Sequence, residues 1–197
     1  LNKPELAPLG PASIHQIFVN SARVKTSQLH MEILKELLLS KEAIGTVEWL
    51  GFSTASRSEI STPEMVEIVH GGVRGDHHCR PARPSKRQVT LIQAEHLPVV
   101  AGLLGRKEIS PELLRRNIVV SGINLSALRY MRFRIGTAVL EGSGPCPPCS
   151  RMEENLGSGG YSAMVNHGGI TAIVITAGHV QLGDTVRPLE VTVSAAP

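Results

Sequence analysis

Apolar residues recur at helical spacing once, near the start of the chain, and at shorter, strand-like spacing for most of the rest. Leu29, Ile33, Leu34, Leu37 and Leu38 fall on one face of a helix that Thr26 or Ser27 can cap and that runs to about Ala43. Ahead of it, residues 1–12 carry Pro4, Pro8, Gly10 and Pro11 and read as an extended lead-in, and the β-branched run from Ile14 to Val19 reads as a short strand. From Gly45 onward the pattern predicts strands at Thr46–Phe52, Val66–Val69, Gln88–Ile92, Asn117–Val120, Phe133–Ile135, Ala138–Glu141 and Ala172–Thr176. A last one, Thr185–Val193, is interrupted by Pro188. Two helical stretches lie between them. Gln93–Leu104 contains Pro98 and is expected to be short or kinked, and Ser110-Pro111-Glu112 is a helix start with serine as cap and proline at the first helical position.

Many short strands, few helices and glycine-rich turns predict an α+β domain, mainly β, around a closed or half-closed barrel. The expected division is an N-terminal extension with one amphipathic helix over 1–44, the barrel domain over 45–190 and a tail over 191–197. With 3% aromatic residues, the barrel interior has to be aliphatic. Three cysteines, Cys79, Cys146 and Cys149, cannot all pair, which favours a reducing compartment. A net charge of +3 and scarce aromatics argue against nucleic acid and suit a small anionic ligand instead. The longest apolar run, Ile170 to Val180, is broken by Thr171, Thr176, Gly178 and His179 and is too short to span a bilayer. No signal-peptide pattern follows the first residues. The expectation is a cytoplasmic protein without membrane attachment.

Four segments carry candidate chemistry. The first runs Gly142-Ser-Gly-Pro-Cys-Pro-Pro-Cys-Ser-Arg-Met-Glu-Glu-Asn-Leu156, where a strand is expected to end near Glu141 and a helix to occupy Ser150–Leu156. Cys149 then stands at a helix N-terminus, where exposed N–H groups favour a thiolate, the form that a soft, high-valent metal or a redox reaction requires. The pair can equally be cysteines that merely pack in a turn, half of a zinc site, or a thioredoxin-type dithiol. The zinc reading lacks a second C-x-x-C, and the dithiol lacks a βαβ context.

The second segment, Gly71-Gly-Val-Arg-Gly-Asp-His-His78, is a tight turn that can sit against a ligand or serve structure alone. If its adjacent histidines lie on a strand they face opposite ways, so that at most one is a ligand. In the third, Arg115 and Arg116 end a helix and Asn117 opens a strand. Arginine forks match phosphate, and Lys86 and Arg87 add charge, although an arginine at a helix C-terminus also simply satisfies the dipole. The fourth, His167-Gly168-Gly169-Ile170, is another backbone-exposing turn.

Taken in order, Gly71-Gly-Val-Arg-Gly-Asp-His-His, Lys86-Arg-Gln-Val-Thr-Leu-Ile, Arg115-Arg-Asn-Ile-Val-Val-Ser-Gly-Ile-Asn, Phe133-Arg-Ile-Gly, Pro148-Cys-Ser-Arg and His167-Gly-Gly-Ile-Thr resemble the MOSC domain, the module named for the C-terminal part of molybdenum cofactor sulfurase. The resemblance runs from about Gly45 to Pro188. It implies a barrel-like MOSC fold that binds a molybdenum cofactor of the molybdopterin type. Carried over by position, it makes Cys149 the catalytic residue and metal ligand, with Cys146 the weaker candidate. It assigns the pterin phosphate and ring to Arg116 and Asn117, then Arg87. The activity it implies is reduction of an N-hydroxylated small molecule with electrons from an external donor protein. The alternatives are a persulfide sulfur carrier for cofactor sulfuration, a non-catalytic cofactor-binding module, or metal-independent thiol–disulfide exchange. Whether the chain is an enzyme, and whether its N-terminal helix supports a homodimer, stay open at this point.

Overall fold

The computed structural model describes residues 44–83 and 85–189. The expected strand at Ile14–Val19, the helix from Thr26 to Ala43 and the end of the last strand lie outside the described residues.

Seven strands close into a barrel in the order β1 (Gly45–Leu50), β10 (Thr185–Pro188), β6 (Arg132–Ile135), β7 (Ala138–Pro145), β8 (Ile170–Thr176), β4 (Val89–Gln93) and β5 (Ile118–Ser121). A smaller sheet is built in the order β3 (Gly72–Val73), β2 (Met65–Val69) and β9 (Gly178–Gln181). Every barrel pair is antiparallel except β4 with β5. A parallel pair needs a crossover. Here it carries α1 (His96–Leu103) and the single turn α2 (Pro111–Leu114). A 3-10 turn follows β5 at Leu125–Leu128, and α3 (Ser150–Leu156) and α4 (Gly160–Ala163) lie between β7 and β8.

Period-2 alternation is clean where one strand face meets solvent. In β6, Phe133 and Ile135 point inward while Arg132 and Arg134 are exposed. In β4 and β5 it fails, because both faces are covered. Leu91, Ile118 and Val120 join the barrel interior, whereas Ile92 and Val119 pack beneath the helices against Val100, Leu114, Met152 and Leu156. Phe133 is the one aromatic among the largest fully buried side chains, in line with the aliphatic interior expected from composition.

Three local expectations are refined by the structure. β7 does not end at Glu141 but continues to Pro145, because a register shift between Gly142 and Gly144 lets it follow β8 down to Ile170. A Cβ on Gly142 would stand 2.3 Å from the Leu128 carbonyl, so no other residue fits there. Of the two outcomes expected for Gln93–Leu104, the short one holds: α1 has eight residues and needs no kink, since Pro98 lies in its first turn, where a missing N–H has no intrahelical partner to lose. His77 and His78 occupy a turn rather than a strand, and their rings lie 3.8 Å apart between centroids instead of facing opposite ways.

Candidate functional site

At one rim of the barrel, the segment after β1, the turn after β3, the starts of β4 and β5, and the start of α3 surround a cavity of about 330 Å³. Cys149, Arg116, Asn117 and Arg87, all predicted site residues, line it. So do Asp76, His77, Arg57, Arg115 and Arg151. Five guanidinium groups therefore meet one lining carboxylate, Asp76, and the cavity favours anions.

The arginine doublet divides its labour at one backbone dihedral. Arg115 follows the single turn of α2 in the left-handed region, with φ at 52°. Its side chain reaches across to donate to the Ser58 carbonyl at 3.0 Å and the Ser53 hydroxyl at 2.9 Å, pinning the rim segment after β1. Burial, and then the charge of Arg151, push its guanidinium below its ordinary pKa. Arg116 turns inward and is 4% exposed. Its Nε donates to the Gly168 carbonyl at 2.9 Å and its Nη1 to the Leu114 carbonyl at 3.0 Å. Its Nη2 is buried and has no hydrogen-bond partner. No carboxylate pairs with Arg116 among the described residues. Burial pushes this guanidinium too below its ordinary value, and a bound anion would relieve that cost.

The approach to Arg116 explains the glycine doublet. A Cβ on Gly168 would lie 2.1 Å from the Cys146 carbonyl and 3.2 Å from Arg116 Nη2. Gly169 has φ at +82°, and its Cβ would lie 1.9 Å from the Leu91 carbonyl. This turn is a close-packing device that carries Arg116, and it adds no side chain to the cavity lining.

Asn117 is a cross-brace. Its Oδ1 accepts from the Thr90 amide at 3.0 Å and the Thr90 hydroxyl at 2.9 Å, and its Nδ2 donates to the Gly51 carbonyl at 3.3 Å and to Asp76 Oδ2 at 3.0 Å. All four hydrogen-bonding positions of the amide are occupied, so contact with a pterin would cost one of these bonds.

Cys149 caps α3 and is exposed at the cavity, while Cys146 is 1% exposed. The Cys146 amide continues the β7–β8 pairing by donating to the Gly169 carbonyl at 2.9 Å, and its Sγ accepts from Arg87 Nη2 at 3.2 Å. The helix begins after the second cysteine and not between the two, with Cys149 at φ −127° and ψ 173°. Both cysteines are free thiols. Cys79 lies outside the cavity lining, and burial pushes its thiol above the ordinary value.

His77 belongs to the histidine pair that the sequence marks as a possible ligand turn, whereas a role for Asp76, and for the rim segment that carries Ser56 and Arg57, was not legible there. Asp76 Oδ1 accepts from the His78 amide at 2.7 Å, and Oδ2 accepts from Asn117. The ligand-type atoms of Asp76, His77 and His78 lie within 4.8 Å of one another. Both Asp76 oxygens are already hydrogen-bonded, however, and the surrounding guanidiniums repel a cation, so the trio is a hydrogen-bonded network.

No curated protein matches the chain. Among solved structures it is similar to the YuaD protein from Bacillus subtilis, with a TM-score of 0.64 and 23% identity over 73% of this chain and 94% of that one. It is similar also to YiiM from Escherichia coli (TM-score 0.57, 18% identity, 74% of this chain and 70% of that one). YiiM from Geobacillus stearothermophilus gives a TM-score of 0.59 at 16% identity over 77% of this chain and 78% of that one. At these identities the likeness is one of fold. No helix of the described residues is long and apolar enough to cross a membrane. The family model for the MOSC domain matches residues 67–187, which take in the histidine turn, both site arginines and Cys149, and the chain belongs to the MOSC domain family.

Proposed function

We propose that the rim cavity binds a molybdenum cofactor of the molybdopterin type, with Cys149 as sulfur ligand, and that the protein reduces N-hydroxylated substrates with electrons from a separate donor protein. One observation carries the reading: an arginine nitrogen that is buried without a partner belongs to the same cavity as an exposed cysteine at a helix cap. A pterin phosphate supplies the countercharge that Arg116 lacks, and Arg87, held by its bond to Cys146, stands beside it. Asn117 keeps Asp76 and the ends of β1 and β4 in place around the group. A charge-assisted arginine contact of this kind contributes about 1.5–3 kcal/mol, or roughly ten- to a hundredfold in affinity.

Bound molybdenum supplies two-electron chemistry at oxygen, which removal of a hydroxyl oxygen from nitrogen requires. The chain's own part is to hold the anion, present one soft sulfur donor and surround the open position with fixed donors. Dithiol exchange fits less well, because Cys146 is buried and engaged by Arg87.

The test is metal and pterin content after purification from a molybdenum-competent host, for the parent, Cys149→Ala and Cys146→Ala. The expected result is molybdenum in the parent, little in Cys149→Ala and most of it in Cys146→Ala. Full molybdenum occupancy in folded Cys149→Ala would end the metal-ligand assignment. Sulfane sulfur on Cys149 without metal would support the sulfur-carrier reading instead.

A further inference from the structure

Two features of the rim are not used by cofactor binding: the histidine turn and the serine-rich segment that it leans on. His77 lines the cavity with its side chain 21% exposed. Its Nδ1 lies 2.8 Å from the Ser53 carbonyl, and its own amide donates to the same oxygen at 2.9 Å. A carbonyl oxygen only accepts, so Nδ1 carries the hydrogen. In the neutral ring Nε2 is then the nitrogen with a free lone pair, and in the protonated ring it is the second donor.

The partner of His77 is itself locked. The Ser53 hydroxyl accepts from Arg115 Nη2 at 2.9 Å and sits 2.7 Å from the Ala55 carbonyl and 2.9 Å from the Ser58 hydroxyl. On the other side, Asp76 Oδ1 is 3.5 Å from His77 Nδ1, and Asp76 is fixed in turn by Asn117. The charged and titratable groups around the ring are Asp76 and His78 on its own turn, Arg115 through the Ser53 segment, and Arg57, Arg87, Arg116, Arg151 and Cys149 across the cavity. His78 is the poorer candidate, since its side chain is 71% exposed and its Nδ1 stands 3.3 Å from Asp76 Oδ1. Asp76 has both oxygens engaged. A ring fixed at one nitrogen by a carbonyl and flanked by an oriented carboxylate is the arrangement general acid–base groups require.

We infer that His77, oriented by Ser53 and Asp76, is the proton donor of this site, delivering a proton from Nε2 to the departing oxygen of the N-hydroxylated substrate. The inference rests on the reductase reading above. For an amidoxime the balance is R–C(NH2)=N–OH + 2 e⁻ + 2 H⁺ → R–C(NH2)=NH + H2O. The N–O bond breaks, and the His77 Nε2–H bond breaks as a new O–H bond forms in the water released. The second proton reaches nitrogen from solvent. The two electrons come from an external one-electron donor, and the ring regains its proton from water at the open mouth of the cavity.

The experiment uses molybdenum-loaded full-length protein, reduced benzyl viologen as donor and benzamidoxime as substrate. His77→Ala removes the ring, and His77→Asn keeps an N–H for the Ser53 carbonyl but has no transferable proton at the Nε2 position. Both are expected to keep parental molybdenum content and a KM within about threefold, and to lose kcat by roughly a hundredfold or more. Added imidazole should restore His77→Ala saturably, by about tenfold or more, a response that a structural role would not give. Parental kcat in either loaded variant, or a loss that imidazole leaves untouched, would overturn the inference alone. Loss of molybdenum from both variants would place His77 in cofactor retention and overturn it as well. A molybdenum-loaded parent that does not reduce benzamidoxime would remove the reductase reading together with it.

Discussion

Replacing Arg116 with alanine strips two buried carbonyls, those of Gly168 and Leu114, of their side-chain donor. Each stranded group costs about 1–3 kcal/mol, so the gross loss is about 2–6 kcal/mol. Two effects pull the figure down. The variant no longer buries an uncompensated guanidinium, and water from the adjoining cavity can reach the carbonyls. The expected net loss is therefore about 2–3 kcal/mol, at the low end of the gross range. With a urea slope of about 2 kcal/mol/M, that is a midpoint shift of roughly 1–1.5 M. Trp49 is the sole tryptophan of the chain and packs against the helical cluster, so its fluorescence reports the transition directly. The same titration in phosphate separates brace from clamp. The parent should gain stability with phosphate concentration, whereas Arg116→Ala should gain little. A variant that unfolds within about 0.5 kcal/mol of the parent would refute the bracing argument. One that phosphate stabilises as much as the parent would refute the anion-site argument.

Gly169→Ala should destabilise by about 2–4 kcal/mol in the same unfolding assay, because its φ is +82° and a Cβ would meet the Leu91 carbonyl. Gly102→Ala on the exposed side of α1, with nothing within 4 Å, should instead stabilise by about 0.5–1 kcal/mol, and equal effects at both glycines would contradict the packing argument. Asn117→Ala should cost about 2–4 kcal/mol through the Thr90, Gly51 and Asp76 partners it abandons, and a calorimetric transition unchanged from the parent would count against the cross-brace. Acid should weaken the fold. Burial holds His96, and burial together with the His77 charge holds His78, below the ordinary 6.5, while the Tyr161 and Gly159 amides hold Glu153 below 4.5. Each group binds fewer protons folded than unfolded, so its contribution is present above the unfolded value and is lost as pH falls, first for the histidines and then for the glutamate. A urea midpoint that rises between about pH 7.5 and pH 5 would show the sign to be wrong.

The strands that the sequence made legible are those whose pattern is local. β6 alternates exposed arginines with buried Phe133 and Ile135, and β4 and β5 are short β-branched runs, so each announces itself before any partner is known. The start of α3 at Ser150 and the cap position of Cys149 were equally plain, because a proline-rich approach followed by a helix-forming run is a local signal. Gly72–Val73 and Gly178–Gln181 were missed: the first has only two residues, the second buries one side chain, Val180, and both are held as strands by β2 lying between them. β7 outran its expected end for a related reason, since its last residues are held by pairing with β8.

The candidate site divides in the same way. Residue chemistry and motif order alone indicated a cysteine, a phosphate-matching arginine and a glycine turn, and with them the family. Which of two adjacent arginines is buried against the Gly168 carbonyl, and which braces the rim, is decided by the left-handed turn at Arg115 and by carbonyls more than fifty residues away. The saturation of Asn117, the orientation of His77 by Ser53 and the engagement of Cys146 by Arg87 likewise depend on pairings between distant segments. Local pattern is set by each residue's own backbone preference and hydrophobicity, which the sequence by itself determines. The roles of polar side chains are set by which donors and acceptors barrel closure brings within 3 Å, and only the tertiary structure decides that.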